Sequence, residues 1–173
     1  MPVTNIQIPL DDVGEGIISA LNTALAGPLS LKSCYQGIFE PLTANDQFSE
    51  IFPAIRLMEP GWHMKPYPGA NPVLPWVEGT LNWVLSYGRT FALTDTNETW
   101  GRQVVQDMQQ IAAVLFRADM QLAGYTPPAG LTIKKIYPIG GQAIASADAE
   151  DLGIRIAEVQ IRIEAEVSVK GNR

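Results

Sequence analysis

The strongest constraint on the fold is a strand-like alternation near the C-terminus. Between residues 152 and 169, apolar and polar side chains alternate almost without interruption. This period of two is typical of a β-strand with one face on a hydrophobic core and the other face in water. The apolar parity shifts by one between Ile156 and Val159, and this shift predicts a β-bulge at Ala157 and Glu158.

A long helix is predicted just before the last strands. Apolar residues recur every three to four positions from Trp100 onward, and Asp95 and Glu98 have the spacing of a capping box. Gly124 is a typical residue to follow a helix, and two prolines come soon after it. We therefore expect one long helix of about seven or eight turns that covers the apolar face of the C-terminal strand.

Shorter elements are expected on either side of this helix. An amphipathic helix begins at Asp12, where Glu15 completes a capping box, and ends before Gly27. Pro53 has no amide hydrogen, so its strand lies at a sheet edge or starts after this residue. A loop is expected over residues 140–153. Strand-like patterns mark residues 33–42, 48–60, 80–93 and 131–139.

Together these elements predict a single α+β domain over residues 1–173. The order is helix, strands, long helix, strands, and an apolar fraction of 46% is enough for a real core. Strands joined in this order form a mainly antiparallel sheet. The sequence therefore predicts such a sheet backed by helices, with one long helix and a long C-terminal strand.

One segment, residues 59–79, fits neither period. It contains five prolines, three glycines and three large aromatic residues, namely Trp62, Tyr67 and Trp76. We interpret it as a proline-rich excursion, either an extended arm or an Ω-like loop, whose aromatics pack on something. Self-packing and contact with a partner are equally open, because buried aromatics also dominate protein interfaces.

The polar face of the last strand is the second candidate interface. It carries charged residues that include Arg155, Arg162 and Glu164. A charged strand face is most often simply solvated, but a strand this long also offers a surface for an oppositely charged neighbour in an oligomer.

Chemical motifs are absent from the sequence. The one cysteine, Cys34, has no partner for an internal disulfide, and the one histidine, His63, has no ligand or triad pattern around it. No glycine-rich phosphate loop, calcium loop or zinc spacing occurs, so we predict no catalytic residue, no cofactor and no metal. The sequence favours a protein that is not an enzyme.

Charge and hydropathy disfavour nucleic acid and membranes as partners. A net charge of −6 disfavours nucleic-acid binding as the main role. The longest apolar run, residues 111–116, is too short to cross a bilayer, and the first twelve residues do not resemble a signal peptide. A soluble protein without membrane contact is expected.

The order of elements resembles the tail terminator, or tail completion, proteins of long-tailed bacteriophages. The resemblance covers residues 12–169 and includes the strand "WVLSY", the helix opening "DTNETWGRQVVQDMQQIAAVL" and the closing strand "AEVQIRIEAEV". It implies a structural virion protein, assembled in the host cytoplasm, that forms a homohexameric ring at the tail–neck junction. The implied partners are other copies of the chain, the tail tube protein, the neck or connector protein and, in contractile tails, the sheath. DNA would pass through the ring without being bound specifically.

Two other functions stay open at this point. Another neck or tail-tube subunit of the same machine would have a similar sequence pattern. A small-molecule-binding α+β domain is the other alternative, with the aromatic segment 59–79 acting as a lid.

Overall fold

The computed structural model describes residues 6–37, 51–69, 75–149 and 153–171, with the backbone alone for residues 144–149. These residues form two helices and one five-stranded sheet in the order β1-β2-β3-β5-β4. β1 and β2 are parallel, and every other pair is antiparallel. The predicted α+β class with a mainly antiparallel sheet is confirmed. The elements are α1 (Leu10–Leu25), β1 (Ser33–Gln36), β2 (Ala54–Pro66), β3 (Trp76–Ala92), α2 (Asn97–Leu115), β4 (Leu131–Ala149) and β5 (Ile154–Lys170).

The C-terminal strand β5 lies inside the sheet. It pairs with β3 on one side and β4 on the other along its whole length. Its odd-numbered residues from Ala157 to Val169 are all buried and belong to the same hydrophobic core as α1 and α2. The predicted core face is therefore confirmed from Ala157 onward. α2 packs on this part of the sheet, at β4 and β5, and α1 packs beside α2 on β1 and β2. We call the opposite face of the sheet the outer face.

The bulge predicted in β5 is wrong. β5 keeps an unbroken register with β3 from Ile154 to Lys170, so Ile154 and Ile156 lie on the outer face. The irregularities lie instead in β4, between Ile133 and Lys135, between Pro138 and Gly140, and between residues 145 and 148. The backbone of β5 stays regular, so the shift in apolar parity has another cause. Near its start β5 has apolar residues on the outer face, and from Ala157 onward its apolar residues are on the core face.

The second helix is shorter than predicted. α2 contains 19 residues and ends at Leu115, because Phe116 leaves the helical region with a ψ of 65°. Met120 then adopts a positive φ of 52°, and its carbonyl accepts a hydrogen bond from the Ile136 amide at 2.8 Å. This hydrogen bond connects the turn to β4. The apolar residues that follow Leu115 at helical spacing therefore belong to a loop.

The caps also differ from those expected. The Thr96 hydroxyl caps α2 by accepting a hydrogen bond from the Thr99 amide at 3.2 Å. α1 begins at Leu10, with no side-chain hydrogen bond at its cap, so Asp12 lies in its first turn. A carboxylate there is favourable because the helix dipole is positive at this end. In the described residues, no helix is long and apolar enough to cross a membrane.

A glycine in α1 has a packing reason. Gly16 is buried, and a side chain there would come within 2.5 Å of the Tyr125 ring. The helix loses some intrinsic stability at a glycine, but the missing side chain lets Tyr125 lie directly against its backbone. The long connection after α2 is held to the domain in this way.

The described part of the proline-rich segment lies in two paired strands of the sheet, and we call residues 59–79 the arm. β2 begins at Ala54, directly after Pro53 as one of the two expectations allowed, and continues to Pro66. β3 returns from Trp76, so residues 59–79 form the far part of a β-hairpin whose tip, residues 70–74, lies outside the described part. Proline is tolerated because Pro60 falls where the register shifts between Met58 and Gly61.

The loop predicted over residues 140–153 is largely strand. β4 runs on to Ala149, opposite Ile154 of β5. Small residues weaken the strand pattern in the sequence, but pairing with the long, regular β5 supplies backbone hydrogen bonds that the local sequence does not predict.

We expect opposite effects from acidic substitutions at two adjacent positions of β5. Ile161→Asp places a charge without a partner in the core, where Ile161 is 1% exposed, and should lower the free energy of unfolding by about 3–5 kcal/mol. Arg162→Asp changes the exposed outer face and should leave the free energy of unfolding nearly unchanged. Urea unfolding measures both, and a larger loss for Arg162→Asp would show that the faces are assigned wrongly.

Candidate functional site

The two residues closest to a catalytic pair in type are far apart. Cys34 of β1 lies level with Ile55 of β2, whereas His63 is eight residues further along β2. At about 3.3 Å per residue, this separation is about 25 Å. The Cys34 thiol contacts the Ile18 carbonyl at 3.7 Å, and burial raises its pKa from 9.0 to about 11, against a weaker opposing effect of Arg56. A thiol with a raised pKa is a poor nucleophile at neutral pH.

The one buried carboxylate of the described residues is Asp107. Its Oδ2 accepts hydrogen bonds from the Tyr87 hydroxyl at 2.8 Å and from Arg89 Nη1 at 2.9 Å, and its Oδ1 accepts one from Gln103 Nε2 at 2.8 Å. Burial, together with the charge of Asp107, raises the pKa of Tyr87 well above its usual range. Two of these partners lie on β3 and one on α2, so the network fixes the helix to the sheet.

The Asp107 network was missed by the sequence reasoning. Asp107 follows Val104 by three positions and precedes Ile111 by four, so it lies on the buried stripe of α2. An acid on an apolar stripe is the signal that predicts a buried, paired carboxylate. Both of its oxygens accept hydrogen bonds from the protein, so the arrangement suits fixing of α2 better than catalysis. No group of three or more His, Cys, Asp or Glu residues that could hold a metal ion occurs in the described residues.

The three aromatics of the arm separate into two sites. The Tyr67 and Trp76 rings stack with centroids 3.9 Å apart, and the Tyr67 amide donates to the Trp76 carbonyl at 2.9 Å. Lys170 Nζ lies 4.4 Å from the centre of the Trp76 ring. Trp62 lies on the other face of the hairpin, level with Leu81, and is 57% exposed. Trp76 is therefore self-packed, and Trp62 is left as the exposed aromatic of the arm.

The three charged residues of β5 do not share a face. Arg155 lies on the helix side, where its guanidinium stands 5.1 Å from the centre of the Trp100 ring and donates to Asn97 Oδ1 at 3.2 Å. Arg162 and Glu164 lie on the outer face. Glu164 accepts a hydrogen bond from the Tyr137 hydroxyl at 3.0 Å. Because the predicted bulge is absent, Arg155 has the opposite orientation to the one expected.

Other charges on the outer face are paired across strands. Glu78 of β3 contacts Lys134 Nζ at 2.9 Å and Lys65 Nζ at 3.6 Å. Glu166 contacts Lys135 Nζ at 3.7 Å. Such exposed pairs add little stability, but they leave few free charges to attract a partner.

Two concavities meet at the β4 irregularity around Ile139. The first is a depression of about 340 Å³ on the outer face, with Arg162, Gln160 and Glu59 in its lining. The second is an apolar groove of about 260 Å³ between α2 and β4, with Phe116 and Met108 in its lining. Phe116 and Ile139 are 64% and 53% exposed. We call the two concavities together the bulge surface.

Pattern reasoning did not find the bulge surface. Its shape depends on the shift between Pro138 and Gly140, and a single extra residue in a strand is invisible without the register of its partner. The run of Pro138, Ile139, Gly140 and Gly141 was the available signal, since these residues are unusual together inside a strand.

Comparison with known proteins gives no further guidance. No protein-family model matches the chain, and no curated protein matches it. Its function is therefore inferred from its own residues and surfaces, together with the resemblance in element order.

We expect the Cys34 thiol to react slowly in the folded protein. A pKa of about 11 in place of 9.0 lowers the thiolate fraction at pH 8 about a hundredfold, because burial disfavours the charged form. Alkylation by iodoacetamide should therefore be about a hundred times slower in the folded than in the urea-unfolded protein. Equal rates in the two states would contradict the raised pKa of this half-buried thiol.

We also expect Asp107 to be among the most costly polar residues to remove. Asp107→Ala leaves Tyr87 and Arg89 without their acceptor and should lower the free energy of unfolding by about 3–5 kcal/mol. The matched control is Glu98→Ala, which removes an exposed carboxylate from the same helix and should change the free energy of unfolding little. Similar losses for both variants in urea titrations would show that the network does not hold α2.

Proposed function

We propose that this protein is a structural subunit of a bacteriophage tail, and specifically of the ring that terminates the tail tube and joins it to the neck. The phage assignment comes from the resemblance in element order. The observation that best supports an assembly role is that one chain exposes two separate apolar surfaces. A head-to-tail ring needs two different contact surfaces on each subunit.

The two apolar surfaces lie on different parts of the sheet. Trp62 of β2 lies in the same cross-strand row as Leu81, Ala165 and Ile136, so three strand spacings separate it from β4. At about 4.8 Å per spacing, this separation is about 14 Å. Trp62 on the arm and Phe116 with Ile139 at the bulge surface can therefore contact different neighbours. Phe116 and Ile139 adjoin each other in one groove, and contiguous exposed apolar side chains mark contact sites. Trp62 is a single exposed aromatic, a residue type enriched in protein interfaces.

Strand addition is disfavoured at the β4 edge of the sheet. β4 is an edge strand, but it is interrupted by three register irregularities and carries Lys134, Lys135 and Pro138. Charges, proline and bulges on an edge discourage pairing with another strand. Contacts between subunits would then be made by side chains, as in a closed ring of compact subunits.

The remaining features are compatible with the ring. The acidic balance, 18 acidic against 12 basic residues, suits a channel wall from which DNA is repelled. The proposed partners are further copies of the chain, the tail tube protein and the neck protein, with the sheath as an additional neighbour in contractile tails. The site would consist of surfaces and would contain no catalytic group.

The alternative of a small-molecule-binding domain with the arm as a lid has little support from the structure. A lid would need its aromatics free to close over a pocket, but Tyr67 and Trp76 stack on each other. The depression on the outer face is open and is framed by residues of β2 and β4, away from this stack.

Electron microscopy of the purified protein in negative stain tests the proposal. We expect closed rings with sixfold symmetry, and tail tubes of uniform length when the tube protein of the same phage is co-expressed. Monomers or dimers at every concentration would contradict the ring and favour a ligand-binding domain. Rings that do not limit tube length would favour another neck or tube subunit.

Trp62→Ala and Trp76→Ala form a matched pair on the arm. Trp62 is exposed, so its removal should leave the free energy of unfolding nearly unchanged but weaken assembly. Trp76 stacks on Tyr67, so its removal should lower the free energy of unfolding by about 1–3 kcal/mol. Thermal melts and sedimentation velocity measure the two effects. Normal assembly of Trp62→Ala would remove the arm from the list of contact surfaces.

A further inference from the structure

Arg162 differs from the other described arginines in lacking a partner. Within the part of the chain that the structure describes, it makes no hydrogen bond, ion pair or ring contact. Its cross-strand neighbours are Val84 on β3 and Gly140 on β4, neither of which carries a charge. The other described arginines contact carboxylates, rings or polar side chains: Arg56, Arg89, Arg102, Arg117 and Arg155.

The carboxylates near Arg162 on its own strand are already engaged. Glu164 accepts a hydrogen bond from the Tyr137 hydroxyl at 3.0 Å. Glu158 accepts hydrogen bonds from Ser86 Oγ at 2.6 Å and Gln160 Nε2 at 3.0 Å. The guanidinium therefore remains a free, forked donor at the surface of the sheet.

The backbone around Arg162 leaves space above it. Glu59, which has a positive φ of 51°, lies on one side, where β2 shifts its register. Ile139 lies on the other side, where β4 shifts its register. Gly140 has no side chain, and a Cβ atom there would meet nothing within 4 Å. The two irregular strands thus frame the depression of about 340 Å³ that holds Arg162, which is enough for a protein side chain.

The chemistry of the depression fits a carboxylate. A guanidinium binds a carboxylate through two parallel hydrogen bonds, and the Gln142 amide and the second N–H of the Gln160 amide, whose nitrogen already donates to Glu158, lie in the same lining. The exposed carboxylate of Glu59 also lines the depression, so a carboxylate from a partner competes with Glu59 for the arginine. The apolar groove with Phe116 adjoins the depression at Ile139 and Gly141. Interface cores are enriched in aromatic residues and arginine, and the bulge surface contains both.

We propose that the bulge surface binds a second copy of this chain, with Arg162 taking a carboxylate from that copy while Phe116 packs against its apolar side chains. This inference rests on the proposed function. Local charge complementarity argues for this occupant: a second copy carries 18 acidic residues, and Arg162 has no ion pair within the described residues. Closing this contact removes the guanidinium from water and from salt.

Sedimentation velocity on four variants tests the proposal. Arg162→Gln and Phe116→Ser should each weaken self-association at least about tenfold, since each removes a central contact. Matched controls are Arg102→Gln, which removes an exposed arginine of α2, and Val105→Ser, which removes an apolar side chain that is 42% exposed and three helical turns away from Phe116. Both controls should associate like the wild type, and circular dichroism should report a native fold for all four.

The outcomes separate this inference from the proposed function. Unchanged self-association of Arg162→Gln, with wild-type rings present, would overturn the inference alone. Normal self-association combined with loss of tube termination would assign the surface to another tail protein and would also overturn it. A wild-type protein that stays monomeric at its highest soluble concentration would overturn both. Weaker association of Arg162→Lys, which keeps the charge but loses the fork, would support the bidentate contact, and full association of this variant would overturn it.

Discussion

The pairing of β5 with both neighbouring strands is the interaction on which the rest of the structure depends. Among the described strands, β5 alone is paired on both sides along nearly its full length, and its odd-numbered residues from Ala157 to Val169 form the floor of the core. A shift of one residue would move this whole apolar row to the outer face. The register of β3 and β4, and the surface on which α2 packs, are therefore set by a single segment. Ile161 and Ile163, at its centre, are almost completely buried.

The hydrogen bonds of Asp107 fix the position of α2 on the sheet. Apolar contacts hold α2 against the sheet but allow it to slide, because they are not directional. Hydrogen bonds from Tyr87 and Arg89 on β3 to one carboxylate of α2 have a defined geometry. They therefore specify where the helix lies. Removing one partner leaves buried polar groups unsatisfied, so the network also makes other arrangements of the helix unfavourable.

The irregular strands provide the surfaces that the regular strand cannot. β5 and β3 pair without interruption, whereas β2 and β4 each shift their register close to Arg162. These shifts open the depression on the outer face and turn Ile139 outward beside Phe116. They also interrupt the β4 edge, which disfavours pairing with another strand. A subunit built in this way offers shaped side-chain surfaces to its neighbours, in agreement with the assembly role that we propose.

The sequence by itself determined the class of the fold, the buried face of β5 from Val159 onward and the apolar stripe of α2, because each depends on periodicity within one segment. Proline chemistry left two positions open for β2, at a sheet edge or starting after Pro53, and the fold selected the second. Only the tertiary structure decided where α2 ends, that β4 continues beyond Gly140, and that Arg155 and Arg162 lie on opposite faces. These features depend on the register between strands distant in the chain. The bulge surface belongs to the same group, since a bulge is defined by two strands and no local pattern of one strand reveals it. Asp107 depends on both. The sequence places it on the buried stripe of α2, but only the fold brings it to its partners on β3.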